Sequence, residues 1–550
     1  MCGRFTLKNK KAVKEKLGID IKPSYNITPA QKILIFDSES SLYINWSYSP
    51  IWAKQPMNLI NARYETLHLK PSFKNSKRCL VIADGWFEWK NIHDKKVPFY
   101  HFIKKSFFFM AGIYNEKGCA IVTTNSSENI KHIHHRQPLL LNNFNLSNWL
   151  NKRDLKKQDY GNEINYYQVG KLVNSPLNNN EIEDLKRRLN NTRLPDQAPV
   201  EAWKTGTDLE WFKKLLNYWK VDYDWKKSES ELNHFPQFKT KISDIDLHYI
   251  HCEGKAKKNI PLLLMHGWPG SIFEFLDIIP ILTNPIKYGI KSEFAFTVIA
   301  PSLPGFGLSF NAFQKRFGVE EIGECFKHLM NNVLGYKSFC IQGGDWGAMI
   351  GTRMAYKYPD QVTGLHLNML ALVREYEPGK ILSPEEKDYI DQIKKWRPEG
   401  MGYQAIQGSR PQTLAYGLSD SPAGLAAWIC EKFYEWTDCK GIPENSISFD
   451  KMLANISLYW FSGAIGSSFW PYYARNRRSW FVPLGEKVEV PTGYCEFPKE
   501  MLRPQRKLAE KTYVDIKRWT KMEQGGHFAA LENPEALSKE MFLFFNSLKL

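Results

Sequence analysis

Residues 340–348, which read CIQGGDWGA, constrain this chain more than any other stretch. An apolar run stops at a glycine pair, a carboxylate follows, and small residues then open a helical pattern. Together they predict a strand, a sharp turn and a helix. Gly343 and Gly347 lie two residues before and two residues after Asp345. This spacing is typical of a nucleophile elbow, where a strained turn needs neighbours without side chains so that the central residue projects.

The residue at the centre of this elbow is an aspartate, and its chemistry differs from that of a serine. An ionised carboxylate can displace at saturated carbon, as in epoxide opening or dehalogenation, and it leaves an ester that must then be hydrolysed. On this stretch alone a second interpretation stays open, in which Asp345 is buried and caps the helix after a glycine-rich turn. The surrounding residues have to decide between the two.

The segments around the elbow alternate between apolar strands and amphipathic helices. Strands are predicted at residues 260–265, 296–300, 338–342 and 364–369, and helices at 319–334 and 346–358. This order predicts a doubly wound parallel sheet. The first strand ends at HGWPGS, residues 266–271. In such folds a main-chain N–H from this loop and one from the residue after the nucleophile form an oxyanion hole, which assigns Trp268 and Trp346.

An acid and a histidine follow the elbow in the order that α/β-hydrolases use. Glu500 lies in FPKEM, and His527 lies 27 residues later in the tight loop QGGHFAA. In this order and spacing, residues 181–550 resemble the microsomal-type epoxide hydrolases. The resemblance implies an N-terminal arm at 182–255 and an α/β-hydrolase domain at 256–550, with a helical lid at about 371–481.

The same resemblance implies roles for four side chains. His527 would be the general base that activates water against the ester, while Glu500 would hold its tautomer and stabilise the imidazolium. Epoxide opening puts negative charge on the leaving oxygen, and phenolic O–H groups above the nucleophile can donate to it. Tyr403 and Tyr472 match the lid tyrosines of the family. Tyr473 is adjacent, so the second assignment can be off by one position.

The first third of the chain has a different character. Short strands separated by Asn-, Gly- and Pro-bearing turns predict a β-rich α+β module. Its beginning is chemically unusual, because an initiator Met before a small Cys is normally removed, which leaves Cys2 with a free α-amine beside its thiol. An α-amine of pKa roughly 7.7 to 8.0 can form a Schiff base with an aldehyde, and the thiol can then close a thiazolidine. The ring-opened sugar of an abasic DNA site is such an aldehyde.

Five ordered motifs give this region a specific resemblance. They are MCGRF at 1–5, YNITP at 25–29, NARYET at 61–66 with KPSF at 70–73, RCLVIADGWFEW at 78–89, and IHHRQP at 133–138. In this order they resemble the SOS-response-associated peptidase family, over about residues 1–181. The resemblance implies a protein that shields abasic sites in single-stranded DNA by cross-linking through its N-terminal Cys. It also implies a peptidase that removes its own initiator Met.

The resemblance assigns four catalytic positions in this module. They are Cys2 as the nucleophile, Asn61 to orient its amine, Glu88 to shuttle protons during ring opening and Schiff-base formation, and His134 to assist at the sugar hydroxyl. Each role requires that the side chain reaches the same aldehyde carbon, so we expect the four residues to converge.

Charge is distributed unevenly along the chain. Residues 1–181 contain 27 Lys and Arg and 14 Asp and Glu, whereas the remaining 369 residues contain 47 and 44. The basic excess of the first third suits a polyanionic partner. Following the resemblance, Arg4 and Arg63 would hold the phosphates that flank the abasic site, and Trp46 or Trp52 would stack on unpaired bases.

Composition limits the remaining possibilities. A chain of 550 residues exceeds one ordinary core, and no run of about 18 apolar residues occurs. The first residues do not form a signal peptide. Nine scattered cysteines without a C-x-x-C pair argue against a disulfide framework and a structural zinc site. We therefore expect a cytoplasmic protein with reduced thiols, no membrane anchor, no metal and no cofactor.

The sequence favours a bifunctional chain that joins an abasic-site DNA cross-linker to an epoxide hydrolase. Its expected partners are single-stranded DNA with abasic sites and a small-molecule epoxide. One alternative is a DNA-damage-response protein whose hydrolase half is a non-catalytic interaction module. Another keeps the elbow but makes its chemistry haloalkane dehalogenation, which would need halide-binding donors in place of phenols.

Overall fold

The computed structural model describes residues 3–7, 9–21, 24–92, 95–103, 106–155, 163–168, 179–372, 379–483 and 485–548. The chain divides into two compact units, residues 1–176 and 177–550. Among the described residues, no helix combines the length and the apolar character needed to cross a membrane.

The first unit is built mainly from β-strands, so the predicted β-rich α+β class is confirmed. Its described α-helices are α1 (Lys10–Leu17) and α2 (Asn143–Leu150). Its described strands are β1 (Arg4–Leu7), β2 (Ser24–Ile27), β3 (Lys32–Phe36), β4 (Ser41–Asn45), β5 (Asn61–Arg63), β6 (Lys77–Ala83), β7 (Gly85–Ile92), β8 (Lys95–Ile103), β9 (Phe108–Asn115), β10 (Gly118–Asn125), β11 (Arg136–Pro138), β12 (Leu140–Leu141) and β13 (Ile164–Gln168).

These strands form two sheets. One has the order β13-β8-β7-β1-β2, and the other has the order β11-β10-β9-β6-β3-β4 with β12 beside β9 and β5 beside β10. Strand β5 runs parallel to β10 and pairs Asn61 with Ile121. Large apolar side chains fill the interior, and Trp86 and Trp149 are fully buried. The two sheets thus enclose a packed apolar core, which holds the backbone around the polar side chains of the unit in place.

The second unit contains an eight-stranded sheet and the helices that cover it. Its strands are β14 (Gln237–Ile242), β15 (Ile245–Cys252), β16 (Lys258–Met265), β17 (Phe294–Pro301), β18 (Phe339–Gly343), β19 (Val362–Leu367), β20 (Thr492–Glu496) and β21 (Ile516–Lys521). Its described α-helices are α3 (Asn179–Asn190), α4 (Leu209–Val221), α5 (Trp225–Leu232), α6 (Ile278–Thr283), α7 (Val319–His328), α8 (Asp345–Lys357), α9 (Pro384–Gly400), α10 (Gly402–Ser409), α11 (Pro411–Asp420), α12 (Pro422–Trp436), α13 (Phe449–Ser462), α14 (Ile465–Ser468), α15 (Trp470–Arg475), α16 (Arg506–Ala509), α17 (Ala529–Glu532) and α18 (Pro534–Ser547).

The sheet has the order β14-β15-β17-β16-β18-β19-β20-β21. Strands β14 and β15 form an antiparallel hairpin, and from β17 to β21 neighbouring strands are parallel. Strand β18 lies centrally between β16 and β19 and leads directly into α8. The α/β-hydrolase class is therefore confirmed, and the elbow lies where the carboxyl ends of parallel strands meet.

A helical lid, defined here as α9 to α15, is inserted between β19 and β20. The preceding arm, α3 to α5, packs against it. The ring of Trp203 stacks on that of Tyr434 with a centroid distance of 4.0 Å, and Arg188 Nη1 lies 2.8 Å from Asp420 Oδ1. These contacts join the start of the unit to the lid above the sheet.

Candidate active sites

Asp345 occupies a strained turn at the end of β18. Its φ is +45°, a region that residues with a Cβ rarely adopt. A Cβ added to Gly343 would lie 2.5 Å from the carbonyl carbon of Gly347, and one added to Gly347 would lie 2.3 Å from the Met265 oxygen. The residues two positions before and two positions after the aspartate must therefore lack side chains, as the elbow spacing requires.

His527 lies between two carboxylates. Its Nδ1 is 2.9 Å from Glu500 Oε2, and its Nε2 is 3.6 Å from Asp345 Oδ2. Burial alone would lower the pKa of His527, but the Glu500 and Asp345 carboxylates raise that pKa well above its ordinary value. The structure thus brings together the predicted nucleophile, acid and histidine from three separate parts of the chain.

The Trp268 backbone N–H donates to Asp345 Oδ1 at 2.8 Å. A Cβ on Gly267 would lie 2.2 Å from the same oxygen, so the glycine allows this close approach. Trp346 is the residue that follows Asp345 in α8. One predicted oxyanion-hole donor is therefore directed at the Asp345 carboxylate.

The two predicted lid tyrosines lie among the aromatic rings next to the elbow. Tyr403 stacks on Trp268 with a centroid distance of 5.3 Å, and the Tyr472 ring meets that of Trp346 at 4.8 Å. The two tyrosine rings are 5.7 Å apart. Burial raises the pKa of Tyr472 well above its ordinary value. Its Oη is buried next to Trp346 and Tyr403.

Tyr473 has different surroundings from those of Tyr472. Its ring stacks on Trp470 at 4.9 Å, and Arg477 Cζ lies 3.3 Å from its centroid. Of the two adjacent tyrosines, Tyr472 is thus the one that shares the aromatic cluster around Trp268.

A cavity of about 20 Å³ lies beside Asp345 and His527. This volume has room for about one water molecule. Glu274, from the 3₁₀ turn Ile272–Phe275, also lines the cavity, and burial raises the pKa of this carboxyl to about 8. Among the described side chains that line the cavity, neither lid tyrosine is present. The cavity and the phenols therefore occupy separate places around Asp345.

Sequence reasoning missed Glu274 and Asn368. Asn368 Nδ2 donates to the His527 carbonyl at 3.3 Å, and Gln342 Nε2 donates to Asn368 Oδ1 at 2.9 Å. Asn368 directly follows β19, and a polar residue at the carboxyl end of a parallel strand is a usable signal. Glu274 sits inside the apolar segment IFEF and gave no comparable signal.

Two lid residues that sequence reasoning also missed hold the loop that carries a predicted oxyanion-hole donor. Asn455 Nδ2 donates to the Pro269 carbonyl at 2.8 Å, and Tyr459 Oη donates to the Gly270 carbonyl at 2.7 Å. Both donors are buried side chains of α13. The lid therefore fixes the loop that carries the Trp268 N–H.

In the first unit, Glu88 and His134 lie together, with 3.6 Å between Glu88 Oε2 and His134 Nδ1. Glu88 is only 1% exposed, and burial raises its pKa to about 7. Burial also lowers the pKa of His134, whose Nδ1 accepts from the Arg136 backbone N–H at 3.1 Å. A carboxyl that titrates near neutrality can both release and take up a proton.

The other positions assigned in this unit lie on two strands. Asn61 begins β5 and has a buried Oδ1, while Arg63 ends the same strand and is exposed. Arg4 begins β1 and is half-buried, and burial lowers the pKa of its guanidinium. Cys2 lies outside the described residues.

The structure corrects the suggestion that Trp46 stacks on DNA bases. Trp46 is 0% exposed, and its Nε1 donates to the Ile60 carbonyl at 2.8 Å. Its ring packs against Phe5 with a centroid distance of 5.2 Å. It is therefore a core side chain and cannot meet a base. Trp52 is 63% exposed and stays the candidate for stacking.

Sequence comparison with known proteins shows to which family the second unit belongs. Epoxide hydrolase 1 from Oryctolagus cuniculus is 38% identical over 394 residues, which cover 66% of this chain and 86% of that protein. The chain belongs to the epoxide hydrolase family. In this family member, residues 173–275 match the epoxide hydrolase N terminus, and residues 260–417 match the alpha/beta hydrolase fold.

Solved structures agree with this assignment. The juvenile hormone epoxide hydrolase from Bombyx mori is similar with a TM-score of 0.61 and 33% identity, over 68% of this chain and 93% of that one. The epoxide hydrolase of Aspergillus niger gives a TM-score of 0.58 and 28% identity, over 68% and 94%.

The first unit of this epoxide hydrolase family member matches a second family. Residues 1–176 match the family model for the SOS response associated peptidase, SRAP. The resemblance inferred from its five motifs is thereby confirmed. The chain is an SRAP module followed by an epoxide hydrolase region.

Proposed function

We propose that the second unit hydrolyses epoxides to diols through an ester on Asp345. The observation that carries this proposal is the placement of His527, with Nε2 3.6 Å from Asp345 and Nδ1 2.9 Å from Glu500. A carboxylate on an elbow needs a water-activating base within reach if its ester is to be released. The similarity to epoxide hydrolases supports the same substrate class.

In the first step, an Asp345 carboxylate oxygen attacks an epoxide carbon and the carbon–oxygen bond of the ring breaks. The Trp268 N–H holds Oδ1, which leaves Oδ2 as the attacking oxygen. Tyr403 and Tyr472 donate to the oxygen that leaves and becomes a hydroxyl. Phenolic donors suit an alkoxide, and we therefore favour epoxide opening over dehalogenation.

In the second step, His527 takes a proton from water, and the hydroxide attacks the ester carbonyl carbon. The bond between that carbon and the ester oxygen then breaks and releases the diol. The diol oxygen and the phenol that donated in the first step take up the protons held by the Asp345 carboxyl and the His527 imidazolium. Esterification removes the charge of Asp345, one of the two carboxylates that raise the pKa of His527. The pKa of His527 must then fall, which frees the imidazole to act as a base. The cavity lined by Glu274 and His527 would hold the water, and the Trp268 and Trp346 N–H groups would stabilise the oxyanion.

Trapping the ester tests this mechanism. The full-length His527→Gln variant is incubated with a panel of aryl and alkyl epoxides, and its intact mass is measured. We expect a gain equal to one epoxide molecule, and no gain when Asp345→Asn is added to the same variant. Diol formation by the wild type without any mass gain in His527→Gln would overturn the covalent mechanism. Wild type that turns over no epoxide of the panel would favour the non-catalytic alternative.

For the first unit, we propose covalent capture of abasic sites in single-stranded DNA by Cys2. Its α-amine would condense with the sugar aldehyde and lose water, and the thiol would add to the resulting imine carbon to close a thiazolidine. Glu88, with a pKa raised by burial to about 7, suits proton transfer in both steps, and His134 lies beside it. Arg4 and Arg63 supply cations for the flanking phosphates.

Intact-mass analysis of the wild type and Cys2→Ala after mixing with abasic single-stranded DNA tests this second proposal. We expect a cross-linked species in the wild type alone, with Met1 absent from it. The matched control is the same oligonucleotide without the abasic site, which should give no adduct. An adduct that forms equally well in Cys2→Ala would contradict the assignment.

A further inference from the structure

A second cavity, of about 290 Å³, opens between the lid and the core of the hydrolase unit. It lies between the start of α7, one turn of α8 at Met349, and the lid helix α15 with the residues after it. The reaction proposed above uses none of its side chains. Its lining is rich in arginine and aromatic rings, and the side chains that matter here are Arg316, Arg475, Arg477, Trp470, Tyr473 and Trp480.

The acidic side chains of this lining are already engaged. Glu320 is shared by two guanidinium groups, with Oε2 3.1 Å from Arg478 Nε and Oε1 3.7 Å from Arg353 Nη2. Glu321 Oε2 accepts from the Gly318 backbone N–H at 3.0 Å and caps α7. The Glu320 carboxylate is therefore paired with two arginines, and the Glu321 carboxylate is held at the start of α7.

Arg316 and Arg477 have no carboxylate within ion-pair distance among the described residues. Arg316 Cζ lies 5.2 Å from the Phe310 ring, and burial lowers its pKa. Its Nη1 is buried, and no described protein group accepts a hydrogen bond from it. A buried donor of this kind is costly to leave unpaired, so the site is suited to an added acceptor.

The aromatic side chains provide a flat apolar surface next to these charges. Trp470 and Tyr473 stack with a centroid distance of 4.9 Å. Arg477 lies against the Tyr473 ring and is fixed there by its hydrogen bonds to the Gly408 and Tyr473 carbonyls at 3.0 and 2.9 Å. Fixed guanidinium groups beside half-buried rings favour planar anions over compact ones.

We propose that this cavity, the arginine pocket, binds a small organic carboxylate with a flat apolar body. The guanidinium groups of Arg316 and Arg477 would pair with the ligand carboxylate. The rings that line the pocket would cover the apolar part of the ligand. The volume is near the lower end of the range for small-molecule sites, roughly 300 to 1,000 Å³, and it limits the ligand to about one or two rings. An occupant would also contact α15, which carries Tyr472. We therefore expect ligand binding in the arginine pocket to change the rate of epoxide turnover. Only this expected effect on turnover rests on the proposed function.

Calorimetric titration of the full-length protein tests the binding claim, with 2-naphthoate as the probe and 2-naphthamide as its neutral match. We expect one naphthoate per chain and binding of the amide at least about tenfold weaker, because charge-assisted hydrogen bonds are lost. Equal affinity for acid and amide, or no naphthoate binding, overturns the proposal. The comparison of acid and amide uses the wild-type protein alone, so it does not depend on whether a variant folds. Inorganic phosphate that binds more tightly than naphthoate also overturns the assignment to a carboxylate.

Variants locate the probe within the chain. Arg316→Gln should weaken naphthoate binding about tenfold, whereas Arg187→Gln, an exposed arginine paired with Asp184 elsewhere in the unit, should bind as the wild type does. Asp345→Asn should also bind like the wild type, which separates this pocket from the elbow. Undiminished binding by Arg316→Gln overturns the site. With naphthoate saturating, the rate of diol formation should change, and an unchanged rate overturns only the coupling.

Discussion

Tyr472 and Tyr473 are neighbours in the chain but lie in different surroundings. Tyr472 packs against Trp346 and Tyr403, whereas Tyr473 packs against Trp470 and Arg477. A helix turns by about 100° per residue, so adjacent side chains on α15 cannot serve the same site. A shift of one residue along α15 would therefore remove the second phenol from the aromatic cluster.

Replacing the lid phenols tests their part in ring opening. Tyr472→Phe and Tyr403→Phe each remove one donor to the developing alkoxide, and we expect the rate of ester formation to fall about 100-fold in each. Rapid-quench measurement under single-turnover conditions reports this rate. Tyr416→Phe, an exposed lid tyrosine, is the matched control and should retain the wild-type rate. A loss in the control as large as that in Tyr472→Phe would contradict a donor role.

Glu88 predicts a pH-dependent stability for the SRAP unit. Its folded-state pKa of about 7 lies above the ordinary value of 4.5, so folding binds a proton between these values and stability falls as pH rises through them. Glu88→Gln cannot ionise and escapes this loss. We expect it to stabilise the unit more at pH 8 than at pH 5, by on the order of 2 to 3 kcal/mol.

Calorimetric unfolding of the wild type and Glu88→Gln at the two pH values measures this difference. The transition of the hydrolase unit in the same scans serves as the internal control and should not shift between the two proteins. An equal effect of the substitution at pH 5 and pH 8 would show that Glu88 does not titrate in this range.

At the scale of elements, the elbow depends on close contacts between backbones. Gly347→Ala would place a methyl group 2.3 Å from the Met265 carbonyl of β16, which forces β16 and α8 apart. We expect a loss of stability of about 1 to 3 kcal/mol, together with a large loss of diol formation. Gly417→Ala, in a lid helix with no atom within 4 Å of the added Cβ, should be neutral or slightly stabilising. Chemical denaturation compares the two variants.

The elements near the elbow were largely predictable, because short-range patterns set them. The strand over 338–342 and the helix over 346–358 correspond to β18 and α8 within one or two residues. The predicted helix at 319–334 is α7 followed by a π-helical turn, Leu329–Val333. Periodicity and glycine placement act locally, and these features therefore appear in a single sequence.

Other parts of the sites depend on contacts between distant segments and could not be predicted. Trp46 directly follows β4 and is buried, because its backbone hydrogen-bonds to Ala30 and Gln31 and its side chain packs into the core. Glu274 reaches the cavity at Asp345 only because Gly270 leaves room for it: a Cβ there would lie 1.5 Å from Glu274 Oε1. Neither outcome follows from local periodicity, since each depends on tertiary packing.

At the scale of the whole molecule, each proposed site draws its residues from one unit only. The described side chains that line the cavity at Asp345 belong to residues 177–550, and Glu88 and His134 belong to residues 1–176. We therefore expect the two chemistries to be separable. Cys2→Ala should abolish the DNA cross-link and retain diol formation, and Asp345→Asn should do the reverse. Loss of both activities in either folded variant would contradict this independence.

The central claim is that the side chain at position 345 becomes esterified and that water then releases it. Single turnover of the wild type in ¹⁸O-labelled water, followed by mass spectrometry of the peptide that contains Asp345, tests it most directly. Because water attacks the ester carbonyl carbon, we predict one heavy oxygen in the Asp345 carboxyl group and an unlabelled first-turnover diol. A labelled diol formed while the carboxyl group stays unlabelled would mean that water attacks the epoxide directly, which contradicts the mechanism.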